Sequence, residues 1–159
     1  MRYIIIVLVF VAIIIVQMTL VPLLSFGTFK PDLLAVLISI IGIKYGRSFG
    51  MINGFVLGLI FDLLSGGIIG LSSFSKTING FIGGYFYDPD NTQEKMTGYK
   101  LLLVMFLCVS IDNFFYNFIS GATLSVNLFD LIFEASLLPA FYSIIVVIPV
   151  IFFRERLEV

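Results

Sequence analysis

Residues Gly50–Gly70, GMINGFVLGLIFDLLSGGIIG, decide the architecture of this chain. Gly50, Gly54 and Gly58 recur every fourth residue, which places them on one face of a helix, and Asp62 continues the row. Apart from Asn53, the rest of the stretch as far as Leu64 is Phe, Val, Leu, Ile and Met. A helix that is apolar almost all round, with glycines along one stripe, is built to sit in lipid and to let another backbone approach closely. Ser65-Gly66-Gly67 then stops it. Upstream, Gly42 and Gly46 carry the same spacing back through a basic turn, Lys44–Ser48.

The whole composition agrees with that stretch. Of 159 residues, 60% are hydrophobic and 12% are charged, against about 45–50% and about 25% in an average soluble domain. A spanning helix needs about 20 apolar residues, and six segments approach that length: about 3–24, 31–45, 49–64, 70–87, 101–120 and 128–153. The expected fold is an all-α integral membrane protein, 1–159 forming a single transmembrane domain of six helices. The second segment is short and extends into its flanks, with Lys44 snorkelling. Pro139 and Pro149 predict kinks in the last. The first is too long for a signal-peptide core and lacks a small-x-small cleavage site, so it reads as a retained helix.

Basic residues set the orientation. With the N-terminus inside, Arg2, Lys44, Arg47, Lys95, Lys100, Arg154 and Arg156 fall on the cytoplasmic side and only Lys30 outside, while Lys76 lies within the fourth helix. Seven against one predicts that both termini are cytoplasmic. Omitting the short second segment would place four of those residues outside.

Five ionisable residues fall inside expected spans: Asp62, Lys76, Asp112, Asp130 and Glu134. Each costs about 2.5–3.5 kcal/mol or more at mid-bilayer unless partnered. Counting about 1.5 Å per residue puts all five in the outer half, none deeper than about 12 Å. Asn79, Asn113 and Asn117 lie at comparable levels, so the reading is one intramembrane polar network. Within it, Asp62 and Lys76 approach the outer surface from antiparallel neighbours, on the Gly50-Gly54-Gly58 face and the Lys76-Gly80-Gly84 face. The expectation is a buried ion pair locking the third helix to the fourth.

Several chemistries are excluded or weakened. The chain has no histidine and one cysteine, Cys108, which removes an internal disulfide, a multi-cysteine metal site and the commonest general base. Nine basic and ten acidic residues nearly cancel, so nothing points to nucleic acid. Asp130 and Glu134 share a helical face, but no nucleophile–base set, metal-ligand set or phosphate loop accompanies them. The expectation is a protein that is not an enzyme, with no cofactor and no catalytic or metal residues.

The stretch Lys30-Pro31-Asp32-Leu33-Leu34, the basic turn, and then Gly54-x-x-x-Gly58-Leu59-x-x-Asp62-x-x-Ser65-Gly66 through Gly70 closely resembles the MreD family of bacterial rod shape-determining membrane proteins. The family motif falls on Pro31, Asp32, Asp62, Gly66 and Gly70, and the likeness is sharpest over residues 30–87. The resemblance implies a non-enzymatic scaffold in the inner membrane that helps organise lateral peptidoglycan synthesis. MreC is the first partner it implies, followed by MreB, RodA and a class B penicillin-binding protein. It also implies an architecture similar to the substrate-binding component of energy-coupling-factor transporters. That similarity supplies the rival reading, a vitamin-like small-molecule binding subunit. A dry, apolar-lined cluster would favour the scaffold; a cavity of several hundred Å3 open to the outside would favour ligand binding.

Overall fold

The computed structural model describes residues 2–19, 21–23, 30–89, 99–121 and 128–157. Lys95, the middle of the hydrophilic loop, the turn at Gly27 and most of the turn before the last helix lie outside the described residues. The described residues form helices joined by short turns, with no strand: α1 (Arg2–Thr19), α2 (Leu33–Tyr45), α3 (Arg47–Ser65), α4 (Leu71–Tyr85), α5 (Tyr99–Ser120), α6 (Leu128–Ile132), a π-helical turn (Phe133–Leu137) and α7 (Leu138–Leu157). The last three run on as one helical rod. Among the described residues, three segments are long and apolar enough to cross a membrane, Arg47–Ser65, Tyr99–Ser120 and Phe129–Ile148. Leu33–Tyr45 is apolar but shorter.

The least apolar helix is the innermost. α4 packs against α2, α3 and α5, and buries Ser72, Ser73, Ser75, Lys76, Asn79 and its glycines. Only a strip of Phe74, Phe81 and Tyr85 stays exposed. A helix with this many polar groups cannot face hydrocarbon, so its neighbours wrap it. α3 does the reverse, turning Gly50, Gly54, Gly58 and Asp62 inward and Phe49, Ile52, Phe55 and Leu63 outward. Two apolar clusters complete the core: Val36, Met105, Val109 and Ile144 join α2, α5 and α7, and Ile14, Leu34, Ile38 and Leu57 join α1, α2 and α3.

The glycine stripes bring backbones into contact. A Cβ on Gly50 would strike Gly80 O, and one on Gly80 would strike Gly50 O. One on Gly54 would meet Lys76 O, and one on Gly84 would meet the Arg47 backbone. On α2, a Cβ at Gly42 would lie 2.7 Å from Gly80 O. The α3–α4 seam is thus set by absent side chains, and it fixes where Lys76 sits.

The sequence predicts a kink at Pro139; the structure places a π-helical turn directly before it, with Leu138 N–H donating to Phe133 O. Proline has no N–H to offer the carbonyl four residues back, Ala135. Asn117 Nδ2 from α5 donates to Ala135 O at 2.9 Å in its place. Pro149 lies within α7.

Gly54→Val should destabilise the purified protein by about 1–3 kcal/mol of overpacking or more, measured as a lower thermal unfolding midpoint. Gly67→Ala, where the added Cβ meets only Ser65 Oγ at 3.6 Å, should leave it unchanged.

Candidate functional site

The polar centre is built on the start of α2. Asp32 caps that helix, its Oδ1 accepting from Ala35 N–H at 2.9 Å. Its own N–H donates to Ser143 Oγ on α7 at 2.8 Å, and Ser143 in turn donates to Pro139 O. Gln17 on α1 closes the third side: its Oε1 accepts from Leu33 N–H at 3.0 Å and its Nε2 donates to Pro31 O at 3.3 Å. Side chains from α1 and α7 therefore satisfy helix-start groups that lipid could not.

Asp32 Oδ2 is thereby aimed at α4. Lys76 Nζ lies 2.6 Å from it and 3.0 Å from Asp112 Oδ2 on α5. Lys76 is 2% exposed and Asp112 1%, whereas Asp32 retains 19%. One ammonium thus joins three helices through two carboxylates. Asp112 Oδ1 has no hydrogen-bond partner among the described residues, so Lys76 is the cation on which this buried carboxylate depends.

Asp62 is not the partner of Lys76, contrary to the expectation from depth. Its oxygens accept from Gly70 N–H at 2.9 Å and from Ser72 and Ser73 N–H at 3.2 Å each. The turn between α3 and α4 explains this. Gly66 and Gly70 both adopt positive φ, 68° and 97°, conformations that favour glycine. They fold the chain back so that the end of α3 meets the start of α4, where unpaired N–H groups attract a carboxylate. The link between α3 and α4 is real, but it is a helix cap.

The remaining expected residues separate into two places. Asn79 lies apart from the triad, donating to Ala35 O at 2.9 Å and standing 2.8 Å from Ser39 Oγ on α2. Asn113, Asn117, Asp130 and Glu134 line a cavity of about 460 Å3, with Asp32 and Lys76 on its wall. Phe61, Pro31 and Pro139 supply apolar surface there. The sequence pattern read above does not single out Gln17, Ser143 or Ser39. A glutamine inside an apolar run, and a serine four residues after a proline, are the signals that mark them.

The described residues contain no cluster of three or more metal-ligating side chains. What the arrangement defines is an all-helical membrane protein stapled internally by ion pairs and caps, with a polar cavity beside the staple. The chain matches the model of the family described as rod shape-determining protein MreD over residues 1–157, and it belongs to that family. It is a cell-shape protein of the inner membrane and a component of the rod-shape machinery. No curated protein and no solved structure matches it.

A double-mutant cycle separates the pair from the cap. Lys76→Met should cost about 3–5 kcal/mol, because it strands two carboxylates. Asp62→Asn should cost about 0.5–2 kcal/mol, the loss of a cap. Their unfolding free energies should add within about 0.5 kcal/mol, whereas Lys76→Met and Asp112→Asn should be strongly non-additive. In the same assay Asn117→Leu should destabilise the chain, and adding Pro139→Ala should restore part of the loss by returning an N–H to Ala135 O.

Proposed function

We propose that this chain is a non-enzymatic scaffold of the rod complex. It crosses the bilayer six times with both termini cytoplasmic, in a layout similar to the substrate-binding component of energy-coupling-factor transporters. Its helix surfaces hold MreC first, and through that contact or directly MreB, RodA and a class B penicillin-binding protein, so that lateral peptidoglycan synthesis is organised around it. The basic residues support the orientation. Arg47, the first residue of α3, also lies 4.8 Å above the Tyr85 ring, an arrangement suited to an interface anchor.

One observation carries the scaffold reading. The ammonium of Lys76 and the carboxylates of Asp32, Asp62 and Asp112 are all engaged in holding helices to one another. A bundle fixed this way presents constant apolar faces, such as Phe49, Ile52, Phe55 and Leu63 along α3, and a constant face is what docking requires. The cavity beside the staple favours a second role, binding of a small molecule, which the scaffold does not exclude.

Depletion in the native rod-shaped cell should give round cells, and a tagged copy should restore rods and co-purify with MreC. Lys76→Met should fail at both. Normal rods after depletion, or vitamin uptake lost while shape is kept, would move the function to transport.

A further inference from the structure

The outward side of α3 carries one polar group. Between Ser48 and Ser65 the only polar side chains are Asn53 and Asp62, and Asp62 is turned inward and buried. Asn53 Nδ2 donates to Phe49 O at 2.8 Å, a bond within its own helix that ties α3 to no other element. Its Oδ1 has no partner among the described residues. Asn53 is the seventh residue of a 19-residue span, about 9 Å in from its start at about 1.5 Å per residue. An amide at that depth meets hydrocarbon, where an unanswered acceptor is costly and a neighbouring helix is what can answer it.

The setting of Asn53 has the pattern of a helix pair. Phe49, Asn53, Val56, Ile60 and Leu63 follow one another at alternating steps of four and three residues, the heptad stripe of two helices packed side by side. A single Asn in such a seam fixes its register and the number of strands. The stripe lies opposite the glycines by which α3 packs on α4, and its four apolar residues are all exposed. Arg47, at the head of the helix, is drawn away from it: the guanidinium lies 6.0 Å from the Phe81 ring centre and 4.8 Å from that of Tyr85, both on α4. The stripe can therefore meet a copy of itself without bringing like charges together.

We propose that two copies of this chain pair along this stripe, with Asn53 of each copy hydrogen-bonded to Asn53 of the other. Copies inserted the same way round in one membrane present α3 in parallel. A two-fold axis along the membrane normal then sets each residue of the stripe beside its own counterpart. Such a position needs a side chain complementary to itself. A carboxylate or an ammonium repels its copy, whereas an amide carries both an acceptor and two N–H donors. Each Asn53 can keep one N–H on Phe49 O and give the other to the Oδ1 of its counterpart, which answers both open acceptors. The inference does not depend on the chain's place in the rod complex. It assigns the α3 stripe to a second copy and leaves outward faces elsewhere, such as Leu103 and Leu107 on α5, to larger partners.

The test is disulfide cross-linking of the full chain in native membranes, with one cysteine introduced at a time and the buried Cys108 left in place. Val56 and Phe55 are chain neighbours of similar exposure, 45% and 52%, yet they point about 100° apart round the helix. Val56→Cys, on the stripe, should give a covalent dimer several-fold more readily than Phe55→Cys, off it. Ile60→Cys should repeat the result one turn further on. Adding Asn53→Leu to Val56→Cys should move the monomer–dimer equilibrium about tenfold toward monomer, the scale of an interhelical hydrogen bond in lipid, without lowering the amount of chain in the membrane. Equal cross-linking at Val56 and Phe55 would mean random collision and overturns the proposal. So does the lack of a dimer at both stripe positions, cross-linking to a different polypeptide in its place, or a dimer yield that Asn53→Leu leaves unchanged.

Discussion

The fold turns on one ammonium. Lys76 is buried inside a membrane bundle, only 2% exposed, where an unpaired charge is not tolerated. It survives because two carboxylates reach it from different helices, Asp32 at 2.6 Å and Asp112 at 3.0 Å. Neither is there by accident of depth. Asp32 is held by its own capping role and by Ser143, while Gln17 secures its neighbours Pro31 and Leu33. Asp112 is carried on α5, which packs on α4. Displacing any of α2, α4 or α5 would strand a charge, so the pair of bonds acts as a constraint on all three.

The same logic, that polar backbone must be answered within the chain, governs the irregular places. At the α3–α4 turn, two left-handed glycines return the chain so that Asp62 covers N–H groups at the start of α4. At the π-helical turn, Asn117 answers the carbonyl that Pro139 cannot. In both places a side chain stands in for water. The glycine seam then lets α3 and α4 approach until backbone meets backbone, with Lys76 O directly facing Gly54.

Much of this architecture was legible in the sequence, and the reasons are local. Gly50, Gly54 and Gly58 on one side and Gly80 and Gly84 on the other announce a close seam by spacing alone. Charged residues in apolar runs announce that partners exist. Which partner was not legible, because distance along a helix ignores how a turn redirects its end. Asp62 and Lys76 stand at similar depth, yet Gly66 and Gly70 bend Asp62 onto backbone N–H groups and leave Lys76 to others. Asp32 enters the sequence reading only as a motif residue beside Pro31, and nothing in its spacing tells that one oxygen caps α2 while the other crosses to α4. A carboxylate with two oxygens can serve two helices, and only the fold decides which. Among the described residues three segments meet the length and apolarity needed to cross, while α2 is apolar but only 13 residues long.

For a family whose members shape cells, a bundle held rigid from within has a clear use: it offers unchanging surfaces to larger machinery. The cavity shares residues with that internal staple, Asp32 and Lys76, so occupancy and rigidity are physically adjacent. The account rests on where the Lys76 ammonium spends its hydrogen bonds. Its 15N resonance in the full chain reports this directly. It should be protected from exchange with water, move on Asp32→Asn and on Asp112→Asn, and stay in place on Asp62→Asn. A freely exchanging signal, or one that responds to Asp62→Asn alone, would contradict the account.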